Sequence, residues 1–257
     1  MCRADSLSIS RLITDRGRVK LLISTTKQGL ISQTFFTDIL LTPDNQQQPR
    51  EIQMIYYLGL VGIAAFSITG VIAAGKKGMD IFSIVLLGVV TALGGGTIRD
   101  IIIDVNPIFW IADLQYLWVA ALASIMTFFL VRHIHNVYRL LLFVDAFGLS
   151  LFTILATEKT LLLGFSKPIA ILMGIVTGAG GGILRDILTG RMPLILGKEF
   201  YATPALLGAL VFILFDAFFP LHDFNRVYAI TVIFLLRASA IQWDLYYPQW
   251  LTYSQKE

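Results

Sequence analysis

Seven apolar runs follow one another with only short polar stretches between them: Ile55–Ala74, Ile81–Ile103, Leu117–Val131, Leu140–Ala156, Pro168–Leu188, Ala202–Phe219 and Val227–Trp243. Six reach or approach the roughly 20 residues that carry a helix across a bilayer core. Leu117–Val131 is the marginal one, and Tyr116 and Trp118 give it an interfacial anchor. A water-soluble fold would have to hide every run in one core, with no amphipathic helix left to cover it. At 56% hydrophobic and 14% charged residues, with a mean hydropathy of +0.74, the chain has too little polar surface for that. The expected fold is therefore an all-α polytopic membrane protein of seven transmembrane helices.

The first 53 residues differ in kind, with 7 of the 20 Lys and Arg, the Gln-rich "TPDNQQQPR" and no run long enough to span. "LLIS" is too short for a signal-peptide core. Cys2, the only cysteine, lies here, so neither a disulfide framework nor a thiolate metal site is expected. Met54 opens the first run directly, and residues 1–53 are expected to be a polar leader, disordered or not native. Loop charges orient the rest. One face carries Lys76, Lys77, Arg132, Arg139, Arg191 and Lys198, the other Lys159, Lys167 and Arg226. By the positive-inside rule this places the N-terminus outside and the C-terminus in the cytoplasm.

"LGGGTIRD" at 93–100 returns as "AGGGILRD" at 179–186. With a fixed offset of 86, Gly88 to Ile108 and Gly174 to Leu194 share Gly88/Gly174, Val90/Val176, Thr91/Thr177, three glycine pairs, Arg99/Arg185, Asp100/Asp186, Ile101/Ile187 and Pro107/Pro193. Gly62/Gly148 and Phe66/Phe152 keep the same offset. The chain reads as a duplication, 54–138 and 139–224, followed by a seventh helix and tail, 225–257. Each copy holds three helices, an odd number, so the second enters the membrane from the opposite side as an inverted repeat.

Each glycine inside a helix costs roughly 1 kcal/mol against alanine, so each triplet gives up about 3 kcal/mol of helix preference. Two readings stand. Gly94, Gly95, Gly96 and Gly180, Gly181, Gly182, with Thr91 and Thr177 a turn earlier, mark bent or unwound backbone beside a polar path, or they let helices two and five pack closely. Arg99, Asp100, Arg185 and Asp186 follow within a turn. Adjacent helical residues point about 100° apart, so each is expected to need a partner on another helix or at a pore mouth, unless the pairs sit at the interface and snorkel. Asp145 is read as a mouth-lining acid or an interfacial cap, and Arg237 as snorkelling or paired within the protein.

Other chemistry is not indicated. No Lys-Ser/Thr follows the glycines, and "GAGGGI" places Ile183 where a dinucleotide loop needs its last glycine. His133 and His135 do not share a helix face, no G-x-S-x-G occurs, and His222 has no evident nucleophile. The net charge of +3 suits lipid headgroups rather than nucleic acid. Neither an enzyme nor a cofactor is expected.

Seven helices, an inverted three-plus-three repeat and Gly-Gly-Gly followed by Arg-Asp in helices two and five resemble the trimeric intracellular cation channel family, in its bacterial branch, whose domains are also described as putative glycine transporters. The resemblance covers Met54 to Trp243. It implies a homotrimer in the inner membrane, with a pore inside each protomer bounded by helices two and five kinked at the glycines. It also implies permeation of monovalent cations, chiefly K⁺, with Arg99, Asp100, Arg185 and Asp186 as the motif charges. The basic lipid-binding motif of animal members has no counterpart here. Inverted repeats around broken helices also build carriers, so a secondary transporter for glycine or another small neutral amino acid is the alternative.

Overall fold

The computed structural model describes residues 13–15, 18–20, 48–75, 77–131, 137–197, 199–218 and 224–246. Cys2, Lys76, Arg132, His133, His135, Lys198 and His222 lie outside the described residues. The chain divides into two units, Met1–Pro43 and Asp44–Glu257. In the first, Ile13–Asp15 (β1) pairs antiparallel with Arg18–Lys20 (β2).

The second unit is helical. Its long helices are α1 (Gln48–Gly75), α2 (Ile81–Ile102), α3 (Gln115–Leu130), α4 (Val137–Leu162), α5 (Lys167–Leu188), α6 (Ala202–Phe218) and α7 (Asn225–Gln242). A single helical turn, Phe109–Ala112, precedes α3, and a 3₁₀ turn, Leu194–Leu196, precedes α6. By length and composition α1, α2, α4 and α5 can cross a membrane, while α3 and α6 are shorter apolar helices. α1 begins at Gln48, six residues before Met54, so the helix extends past the apolar run that specified it.

The ends of these helices follow local chemistry. Asp80 caps α2 by accepting from the backbone N–H of Phe82 at 3.1 Å and Ser83 at 3.3 Å, and Pro168 sits in the first turn of α5, where its missing N–H is not needed. α5 closes with Gly190 at φ +63°, where Gly190 N–H donates to Ile187 and Arg191 N–H to Asp186. α2 closes in the same way, with Asp104 at φ 54° in the glycine's place. Aspartate tolerates this left-handed conformation better than most residues. The cap thus keeps the 86-residue offset although its residue changed.

α4 lies at the centre, packed against α1, α5, α6 and α7. It meets α1 through a stacked pair, Phe66 and Phe152, with ring centroids 5.5 Å apart. Gly62 lies beneath the Phe152 ring and Gly148 beneath that of Phe66, each a place where a Cβ would crowd the ring. On α3 the outward face exposes Trp118, Leu122, Met126 and Phe129, apolar surface of the kind lipid covers.

Polar contacts sort the helix ends into two sets. At one end Tyr56 of α1 donates to Asp113 at 3.0 Å, and Arg226 of α7 grips Glu158 of α4 at 2.7 Å. At the other, Arg139 of α4 donates to Gln242 of α7 at 2.9 Å. Arg237, almost fully buried in α7, donates to Glu199 at 2.7 Å and to the Phe200 carbonyl at 3.2 Å, and lies over the Tyr201 ring. It pairs within the protein.

Candidate functional site

The site begins where α2 crosses α5. Gly95 and Gly181 stand at the crossing: a Cβ on Gly95 would overlap the carbonyl oxygen of Thr177, and one on Gly181 that of Thr91. A Cβ on Gly180 would come within 3.0 Å of the Gly95 Cα. The backbones therefore touch directly, with glycine Cα hydrogens turned toward carbonyl oxygens, an arrangement that recurs at close helix interfaces. Thr91 and Thr177 are buried, and their hydroxyls donate one turn back, to the carbonyls of Leu87 at 2.7 Å and Met173 at 2.6 Å. The outer glycines meet side chains: Gly94 meets Leu184, Gly96 the Phe109 ring, and Gly182 Tyr201, Asp145 and Arg185.

All six glycines are buried, and both helices run as uninterrupted α-helix through the triplets. Neither is unwound there. The backbone hydrogen bonds of each helix stay within it, and what the missing side chains supply is proximity.

Above and below this crossing lie the charges. Arg99 donates from Nε at 2.8 Å and Nη2 at 2.7 Å to Asp100 Oδ1, and Lys159 of α4 reaches the same oxygen at 3.1 Å. Asp100 Oδ2 accepts from Phe109 N–H at 3.0 Å. Arg185 donates from Nε to Asp186 Oδ1 at 2.8 Å, from Nη2 to Asp186 Oδ2 at 3.1 Å, and from Nη1 to Asp145 Oδ1 at 2.6 Å. Asp186 Oδ2 also accepts from Leu194 N–H at 3.1 Å. In both copies the aspartate reaches across the loop carrying Pro107 or Pro193 to hold the first N–H of the next short turn. That is a structural reason for the Arg-Asp-x₆-Pro spacing.

Arg99, Asp100, Arg185 and Asp186 are all buried rather than snorkelling. Each arginine binds its sequence neighbour despite their 100° separation. A second partner comes from another helix in both copies, Lys159 and Asp145, both on α4. Asp145 is fully buried as the partner of Arg185.

In the sequence Lys159 reads only as a loop charge, and no pattern marks Tyr201 or Phe109. The apolar run ends at Ala156 while α4 continues to Leu162, so Lys159 rides on a helical turn that hydropathy alone does not reveal.

A family model described as "Glycine transporter" matches residues 56–132 and again 142–217, two stretches that begin 86 residues apart. The inner membrane protein YadS of Escherichia coli (strain K12) is 41% identical over 200 residues, covering 76% of this chain and 95% of its own. A membrane protein of Vibrio cholerae is 37% identical over 199 residues, covering 77% and 83%. The trimeric intracellular cation channel orthologue from Rhodobacter sphaeroides superposes with a TM-score of 0.72 at 41% identity, over 75% of this chain and 99% of that one. The chain belongs to the trimeric intracellular cation channel family, in its bacterial branch. A second solved member of this family, a prokaryotic channel crystallised in 0.5 M KCl, superposes with a TM-score of 0.71 at 32% identity, over 75% and 98%. The family match leaves out the first 55 residues, in keeping with the change of composition there.

Proposed function

We propose that this protein is a channel for monovalent cations, K⁺ among them, with a conduction path inside each protomer along the α2–α5 crossing. The observation that carries the reading is the pair of buried Arg–Asp clusters flanking that crossing, each completed by a charged residue of α4. Buried charges inside a membrane bundle are costly and mark pathways. The likeness to solved cation channels at 41% and 32% identity supports the same reading. In it, Thr91, Thr177 and the six glycines border the narrowest part. Arg99, Asp100, Arg185, Asp186 and Asp145 form polar clusters that reorganise on opening.

The protomer comprises two inverted three-helix units, 54–138 and 139–224, with α7 added. Three protomers assemble in the inner membrane, the N-terminus outside and the C-terminus in the cytoplasm. No cofactor is required, and the permeant ion is the substrate. The decisive experiment records purified protein in planar bilayers in KCl beside labelled glycine uptake into proteoliposomes. Unitary cation currents are expected. Saturable glycine counterflow without currents would make the protein a carrier.

A further inference from the structure

Resting on the channel reading, we infer that the single turn Phe109–Ala112 is a lid on the Arg99 side of the proposed path, closed in this structure by the Phe109 ring seated against Gly96. Three attachments hold it to the end of α2. The ring occupies the space that a Cβ on Gly96 would need, Phe109 N–H donates to Asp100 Oδ2 at 3.0 Å, and the Trp110 indole N–H donates to Thr97 Oγ1 at 3.0 Å. The ring is also flanked, with the Arg99 guanidinium 5.9 Å from its centroid and Tyr116 meeting it edge to face at 5.1 Å. In the channel reading Gly96 is the last bordering glycine on this side, so a ring against it stops the path.

The second half of the repeat shows that the fold does not demand such a clasp. The 86-residue offset carries Thr97, Phe109, Trp110 and Tyr116 to Ile183, Ile195, Leu196 and Ala202, so both the indole bond and the aromatic packing are lost. Only the aspartate's hold on a turn N–H is kept, from Leu194 to Asp186 Oδ2. The atoms nearest a Cβ at Gly182 belong to Tyr201, Asp145 and Arg185, and none to the turn Leu194–Leu196. The lid can also leave without stranding a charge. When Asp100 Oδ2 gives up Phe109, its Oδ1 keeps Arg99 Nε, Arg99 Nη2 and Lys159 Nζ, so the buried carboxylate stays paired. The turn carries its own backbone bonds, from the N–H groups of Ile111 and Ala112 to the Ile108 carbonyl, and moves as a unit. Phe109 and Trp110 are half-buried, so lifting them exposes less apolar surface than freeing a core residue would. Closed and open positions thus lie close enough in free energy for both to be populated.

The test records single channels of the full chain in planar bilayers in KCl, comparing wild type with Phe109→Ala, Phe109→Leu and Thr97→Val. Phe109→Ala should shift the closed–open equilibrium roughly tenfold toward open at unchanged unitary conductance. Phe109→Leu, which keeps apolar bulk over Gly96, should fall between it and the wild type. Thr97→Val keeps the side chain's shape and removes the acceptor of the indole, so it should shift the equilibrium about fivefold, the worth of one ordinary hydrogen bond. A turn with a structural role alone would lower the melting temperature of these variants and leave the open probability of the assembled protein unchanged, which overturns the lid. If Phe109→Ala fails to assemble, Thr97→Val decides by itself. Wild-type currents whose gating neither Phe109→Ala nor Thr97→Val moves refute the lid alone. Absence of currents from the wild type and every variant refutes the channel reading, and the lid with it.

Discussion

Gly95 of α2 rests against the carbonyl oxygen of Thr177 on α5, and Gly181 and Thr91 repeat the relation with the helices exchanged. The obstacle to a Cβ is backbone on both sides, which cannot swing away as a flexible side chain can. Gly95→Ala and Gly181→Ala should therefore each destabilise by about 1–3 kcal/mol, the usual cost of overpacking. Both should lower the melting temperature and the assembled fraction in detergent. Gly75→Ala, with nothing within 4 Å of its new carbon, should match the wild type. If both crossing variants assembled and melted normally, direct backbone packing would be the wrong account.

Lys159 stands at the opposite end of the proposed path from Asp145. Its side chain is 34% exposed while the Asp100 carboxylate it holds is fully buried. In the proposed channel, Lys159→Gln should raise K⁺ conductance at low salt by a factor on the order of two. Arg99 remains on Asp100 and preserves the fold. The gain should vanish near 1 M KCl, where the screening length falls to about 3 Å. A conductance ratio independent of salt would argue that Lys159 acts on structure instead.

Hydropathy was enough to place the helices here, because spans buried in lipid must carry their apolar character in consecutive residues. The duplication was legible for a similar reason: Gly62 and Phe66 and their counterparts touch reciprocally, so the packing tolerates little change at either copy. The role of the triplets was not legible. A glycine that bends a helix and one that admits a neighbour look alike until the opposing Thr carbonyl is seen. Nor could spacing along one helix reveal Lys159 or Asp145 as the second partners, since both come from α4. Tyr201 lies outside every apolar run and outside the repeat's matched positions, so no pattern pointed to it.

Asp80 offers a pH signature outside the spans. Its carboxylate is held below the ordinary value of 3.8, first by the Ser83 hydroxyl and then by the backbone N–H groups of Ser83 and Phe82. A depressed carboxylate contributes stability that is complete above the unfolded value and fades as the pH falls through the lower folded one. The melting-temperature gap between wild type and Asp80→Ala should thus be constant from neutral pH down to about 5 and close below about 4. A gap that persisted at low pH would assign the effect to something other than the ionised cap.

The two sets of helix ends sharpen the expected orientation. Of the three loop cations counted on the Arg99 side, Arg226 is buried on Glu158 and Lys159 is bound to Asp100, which leaves Lys167 as the one with no acidic partner among the described residues. On the Arg185 side Lys77 and Arg139 are exposed and Arg191 is partly so. The positive-inside rule counts Lys and Arg in short loops, and the larger number lies on the Arg185 side. A fluorescent reporter that matures only in the cytoplasm, fused after Glu257, should glow. A periplasmic reporter enzyme at the same place should be inactive. The opposite pair of results at normal expression would invert the protein in the membrane, and would put the Lys159 end of the path on the cytoplasmic side.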